Sequence, residues 1–237
     1  MAAKSALNPA TFFSPHGVDA ELFGLAQNPA TEIPAQARQL GKPVVGYIGS
    51  VHEWIDLELI AWLAVQRPQW SFLLVGHAAA DVSALRALAN VHLVGTQPYA
   101  TLPAWAKSFD AAIIPYRLNR QVANANPLKL REYLATGKPI VSVRNPEIEK
   151  FSGLVSIADD RAGFTAEVEA RARTLADDPG LAARIADVAT ARYAIEAGLL
   201  DLVGMTRALM ADPALPRKIA AGQEDRIRPC VGASMCI

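Results

Sequence analysis

The sequence predicts an α/β domain on a doubly wound parallel sheet, continued by a helical C-terminal extension. Two observations carry this. First, the strand-like runs Trp70–Gly76 (WSFLLVG), nearly all apolar, and Ala111–Tyr116 (AAIIPY) do not alternate, as strands covered on both faces should not. Second, segments with helical apolar spacing separate these runs, and strand–helix alternation favours a parallel sheet over a meander.

The elements follow in order. Lys42–Ser50 (KPVVGYIGS) is a β-rich run that ends in Gly and Ser. Asp56–Val65 carries Leu57, Ile60, Ala61 and Leu63 at the spacing of a helix packed on a sheet. After the strand Trp70–Gly76, Asp81 is placed to cap a helix over Val82–Ala89. Val91–Gly95 reads as a short strand, Leu102–Lys107 as a short helix and Ala111–Tyr116 as a buried strand. Arg117–Asn126 reads as a polar loop. Pro127–Thr136 is a helix with Gly137 as its stop signal, Pro139–Val143 a further strand, and Gly163–Ala176 a helix.

Composition narrows the function classes. The chain has 237 residues, 51% hydrophobic, enough for a sizeable core. Lys plus Arg and Asp plus Glu each number 23, so no bulk field is available to hold a nucleic-acid backbone. No run of about 18 apolar residues free of charge signals a membrane span. Met1–Ala10 lacks the basic-then-apolar pattern of a secretory signal. The only cysteines, Cys230 and Cys236, do not make a disulfide framework, and a reducing, cytoplasmic setting is expected.

In doubly wound sheets ligands bind beyond the carboxyl ends of the strands. The ends here are Gly49-Ser50-Val51-His52-Glu53, Gly76-His77, and Tyr116 with the loop after it. At these segments the sequence becomes familiar. PHGVD (Pro15–Asp19), VGYIGSVHEWIDLELI (Val45–Ile60), FLLVG (Phe72–Gly76), DAAIIPY (Asp110–Tyr116) and NPLKLREYLATGKPIVS (Asn126–Ser142) resemble, in this order, the group 1, or family 4-like, glycosyltransferases. The resemblance implies one Rossmann-like half of a GT-B fold, the half that holds a nucleotide sugar. The last segment is the most specific.

What the resemblance implies for the site can be set out residue by residue. The family's motif pairs two glutamates on either side of a short spacer. Glu132 matches the second, which lies near the nucleotide ribose, where a carboxylate can accept both hydroxyls. Asn124 stands where the first would fall, and an amide there can bond a sugar hydroxyl without carrying charge. The loop Asn124-Ala125-Asn126-Pro127 leads into Leu128 and Lys129, so backbone N–H groups at a helix start, joined by the Lys129 ammonium, suit a diphosphate. The Gly49–Ser50 turn permits close backbone approach to the same diphosphate. His52, Gly76 and His77 complete the expected donor-binding set, although both histidines also read as plain polar loop residues. Arg117 and Arg120 have two readings, phosphate-holding or solvated. Trp54 and Trp70 read as packing residues rather than base-stacking platforms. No catalytic residue is assigned, and no metal or cofactor is expected, the nucleotide sugar being a substrate.

The end of the chain resembles another family. DLVGMTRALMADP (Asp201–Pro213) and IRPCVGASMC (Ile227–Cys236) resemble the close of the flavin-dependent barrel in NADH:flavin oxidoreductases of the old yellow enzyme and trimethylamine dehydrogenase type. By that resemblance Arg207 matches an arginine that touches the FMN phosphate. Cys230 and Cys236 match the outer positions of an iron–sulfur motif whose middle position is Ala233 here, and two thiolates are too few for such a cluster. One strand and helix cannot form a barrel, so FMN binding is not expected. The expected division is a donor-binding domain over 1–193 and a tail over 194–237.

Three functional readings follow. The first is a glycosyltransferase donor domain whose acceptor-binding half comes from elsewhere, for example a separate chain. The second is a fragment of an FMN-dependent oxidoreductase. The third is a non-catalytic nucleotide-binding module, which Asn124 in place of glutamate favours.

Overall fold

The computed structural model describes residues 17–173. The expected boundary at 193, the helical extension, Arg207 and both cysteines lie outside the described residues.

Six parallel strands form one sheet in the order β3-β2-β1-β4-β5-β6. They are β1 (Val44–Ile48), β2 (Ser71–Val75), β3 (Val91–Leu93), β4 (Ala111–Ile114), β5 (Ile140–Val143) and β6 (Ser156–Ala158). The first strand is central; from it the chain winds out through β2 to β3, then returns to lay β4 against the other side of β1. The strand order therefore reverses between β1 and β4, and in such sheets ligands bind beyond the carboxyl ends at that switch point. Every residue of β1, β2 and β4 is buried, which accounts for their largely apolar, non-alternating sequences.

The helices are α1 (Ala20–Gly24), α2 (Ala35–Arg38), α3 (Leu57–Gln66), α4 (Ser83–Arg86), α5 (Leu102–Lys107), α6 (Arg120–Ala123), α7 (Leu128–Thr136), α8 (Pro146–Glu149) and α9 (Arg161–Arg173). Asp56 caps α3 by accepting the Leu59 N–H at 2.9 Å. The helix then buries Leu59, Ile60, Leu63 and Ala64. Gly137, in the left-handed conformation, ends α7 as expected.

Several expectations need correction. Asp81 is not the cap of α4. Its carboxylate accepts from Ser83 N, closing a turn one residue before the helix, and Val82 takes the N-cap position without a side-chain bond. That helix stops at Arg86 rather than Ala89. The expected polar loop Arg117–Asn126 contains α6, whose N-cap Asn119 accepts from Val122 N at 2.8 Å. The strand and helix of β6 and α8 were not expected at all, and β3 ends at Leu93 rather than Gly95.

At the amino ends of the strands, lysines do structural work. Lys107 donates to the carbonyls of Asn28, Pro29 and Thr31 at 2.7, 3.1 and 2.8 Å, fastening the segment that leads toward β1. Lys42 pairs with Asp110 at 2.9 Å, and Asp110 also accepts the Val44 N–H. Lys138 donates to the Lys107 carbonyl, the last of α5, at 2.8 Å. Burial holds the Lys138 amine down at about 8; Asp110 opposes that shift, and Lys42 and Lys107 add to it.

Candidate functional site

The site is built from turns that leave the sheet at its carboxyl edge. Gly49 follows β1 with φ 139°, and Gly76 follows β2 with φ 149°, values that side-chain-bearing residues rarely adopt. The turns interlock: a Cβ on Gly76 would lie 2.1 Å from the Gly49 carbonyl oxygen. Gly49 N donates to Val75 O at 2.7 Å and Val51 N to His77 O at 2.8 Å, so the sheet pairing runs on into the loops. Ser50 is buried, and its hydroxyl faces the same His77 carbonyl at 3.4 Å.

The second half of the chain comes in through α7. Pro127 is its N-cap and offers no side-chain hydrogen bond, so no side chain caps this helix start. From the first turn Lys129 reaches the β1 exit. Its Nζ lies 5.2 Å from the centre of the Tyr47 ring. A Cβ on Gly49 would sit 2.0 Å from that nitrogen. The absent side chain of Gly49 is thus the space in which the Lys129 ammonium rests. The glycine turn and the helix-start lysine, separated by 80 residues, meet at one point.

Glu132, one turn further along α7, is buried, with 7% of its surface exposed. Its surroundings are phenols. Tyr47 and Tyr133 are fully buried. Burial pushes both hydroxyls well above the usual tyrosine range, with Tyr116 and the Glu132 charge adding to the rise. Tyr47 donates to Ser50 O at 2.9 Å and Tyr133 accepts from Ile48 N at 2.7 Å. Glu132 is thus a buried carboxylate rather than a solvated helix residue.

The remaining expected residues divide. His77 is exposed beside Gly76. His52 stacks on Trp54, with ring centres 3.7 Å apart, and its Nδ1 is buried without a hydrogen-bond partner. Trp54 packs against the core and Trp70 is buried in it. Asn126 and Leu128 are half-buried at the start of α7. Asn124 is exposed and donates to the Arg120 carbonyl at 2.7 Å, so its amide turns back on its own helix. Arg117 pairs with Glu58 at 3.6 Å, and Arg120 is exposed.

Sequence reasoning missed Tyr47, Tyr133, a cavity and a tether. The cavity, about 420 Å³, lies beyond the ends of β2 and β3 and is lined by Gly76, His77, Arg86, Leu93 and Gly95 among others. The tether is Asn145, which is buried. It caps α8 by accepting from Glu147 N and donates to the Val122 carbonyl of α6 at 2.5 Å. Asn145-Pro146-Glu147 carried the signal of a helix start, a capping residue followed by proline.

Residues 42–178 match the model of the family described as glycosyl transferases group 1. The chain belongs to that family. Among relatives of this group 1 glycosyl transferase, the putative teichuronic acid biosynthesis glycosyltransferase TuaH of Bacillus subtilis is 34% identical over 139 residues, covering 57% of this chain and 34% of TuaH. A shorter stretch of 55 residues is 67% identical to the multifunctional alkene reductase/demethylase OYE of Caballeronia cordobensis, covering 23% of this chain and 8% of that protein. The chain thus spans about a third of the one relative's length and less than a tenth of the other's. Of solved structures, sucrose-phosphate synthase from Thermosynechococcus elongatus is similar in fold, with a TM-score of 0.58 and 18% identity over 93% of this chain and 57% of that one. HepE of Anabaena, solved in complex with UDP, gives 0.52 and 16% over 78% and 56%. Both likenesses are of fold. Among the described residues, no helix is long and apolar enough to cross a membrane.

Proposed function

We propose that this chain supplies the donor-binding half of a glycosyl transfer, holding a nucleoside diphosphate sugar of the UDP or GDP type in the crevice between β1 and β4. The observation that carries the proposal is the meeting of the Lys129 ammonium with the Gly49 turn, beside a helix start that no side chain caps. A diphosphate in that position would gain the α7 dipole, the backbone of Gly49–Ser50 and one charge-assisted bond from Lys129. Glu132, one turn deeper, would accept the ribose hydroxyls. The cavity beyond β2 and β3 adjoins the same Gly76 and is large enough for a base. These groups would also stabilise the departing diphosphate as the sugar leaves, and no metal is needed for that. The acceptor would be held by a separate acceptor-binding half facing the crevice. In this reading residues 1–193 form the donor domain and 194–237 a tail without a flavin site.

Calorimetric titration of the full chain with UDP, GDP and FMN tests this. UDP or GDP should bind, and Glu132→Ala should weaken that binding about ten- to a hundredfold, the range for losing a hydrogen bond to a charged group. Absence of nucleotide binding, or FMN binding indifferent to Glu132→Ala, would sink the proposal. The second reading, an oxidoreductase fragment, is favoured by short segment matches to oxidoreductases, the 55 residues shared with the OYE protein among them.

A further inference from the structure

The central strand and α7 are joined at one buried hydroxyl. The pairing of β1 with β4 covers Val45 with Ala111 and Gly46 with Ala112. Beyond that register, Ile48 N donates instead to the Tyr133 hydroxyl at 2.7 Å. Tyr133 is 0% exposed. Phenylalanine would fill nearly the same volume but could not accept from Ile48 N, and a polar group buried there without a partner is costly. The bond stands at a telling place. The residue after Ile48 is Gly49, and Lys129, whose ammonium fills the Gly49 cradle, lies one helical turn before Tyr133 on the same face of α7.

We infer that Tyr133 is a positioning residue for the diphosphate: its hydroxyl fixes how closely α7 stands to the end of β1, and so how the Lys129 ammonium meets the Gly49 turn. The inference rests on the donor-site reading above. Tyr133 touches no part of the nucleotide in this scheme and acts through Ile48 and Lys129.

The discriminating readout is the ratio of UDP to uridine affinity, which isolates the diphosphate. In the full chain, Tyr133→Phe should lower that ratio about five- to tenfold, the scale of one net hydrogen bond or pairwise coupling, while uridine binding stays near its original value. In a Lys129→Met background the same substitution should change the ratio less than twofold. A purely structural tyrosine would weaken uridine and UDP alike, or lower only the melting temperature, and either result overturns the inference. An unmodified chain that does not prefer UDP over uridine removes the donor-site reading, and this inference with it. An unmodified preference that survives Tyr133→Phe removes this inference alone. Should Tyr133→Phe fail to fold, the Ile48 amide resonance of the unmodified chain decides: it should shift on adding UDP and not uridine, and an Ile48 amide indifferent to both overturns the inference.

Discussion

Gly49 carries two demands at once, a positive φ and an empty Cβ position. Gly49→Ala would meet both, strain at φ 139° and a contact 2.0 Å from the Lys129 nitrogen. Backbone strain of this kind costs about 1–3 kcal/mol, and the displaced ammonium should cost diphosphate affinity as well. Thermal melting together with UDP titration of Gly49→Ala should therefore show both losses, whereas Lys129→Met should show mainly the second. Lys138 makes a different prediction, in pH. Its amine titrates near 8 when folded, below its ordinary 10.5, so between those values the unfolded chain binds more protons. Stability then rises with pH from about 8 toward 10, and the contribution is lost as pH falls through 8. Above 10 the raised hydroxyls of Tyr47 and Tyr133 turn the trend, because the unfolded chain sheds protons that the folded one keeps. Denaturant unfolding from pH 7 to 10 should show the rise in the unmodified chain and a flatter profile in Lys138→Met. A profile equally steep in both would assign the rise elsewhere.

Single elements set the crevice, and they differ in how much of them could be read ahead. The strands β1, β2 and β4 were legible because burial on both faces leaves them largely apolar without alternation, and α7 because a loop with proline opens it and Gly137 closes it. The short elements were not. α6 and α8 have four residues each, too few for a 3.6-residue period to register, and each stands on an asparagine cap that looks like ordinary loop polarity. β6 has three residues, two of them half-buried. For the site, Gly49, Lys129 and Glu132 were each visible along the chain, but their convergence depends on winding order, a property no local window contains. Tyr133 was hidden because an aromatic on a helix reads as packing, and its partner is an amide 85 positions away. The asparagine tether belongs to this scale. Asn145→Ala removes the α8 cap and frees the Val122 carbonyl, and should cost about 1–3 kcal/mol in denaturant unfolding. Because α6 precedes the loop to Pro127, UDP affinity should fall with it; unchanged affinity would show that the loop holds its shape without this tether.

Taken whole, the molecule joins a group 1 glycosyl transferase fold to a sequence that also matches part of an oxidoreductase over 55 residues. A flavin protein absorbs visible light, so the purified chain is expected to be colourless and to give no heat with FMN. Yellow colour retained through purification would reverse that expectation. The order β3-β2-β1-β4-β5-β6 has one more consequence. Strands β1 to β3 build one flank of the sheet and β4 to β6 the other, and the connection from β3 to β4 runs through the exposed stretch around Gly95 and Pro98. The glycine turns belong to the first piece, the lysine and glutamate to the second. Severed at that crossing, the protein becomes a pair of complementary fragments, each with half a binding site. Nucleotide affinity absent from either fragment and restored on mixing would then serve as the signal that the two had found each other.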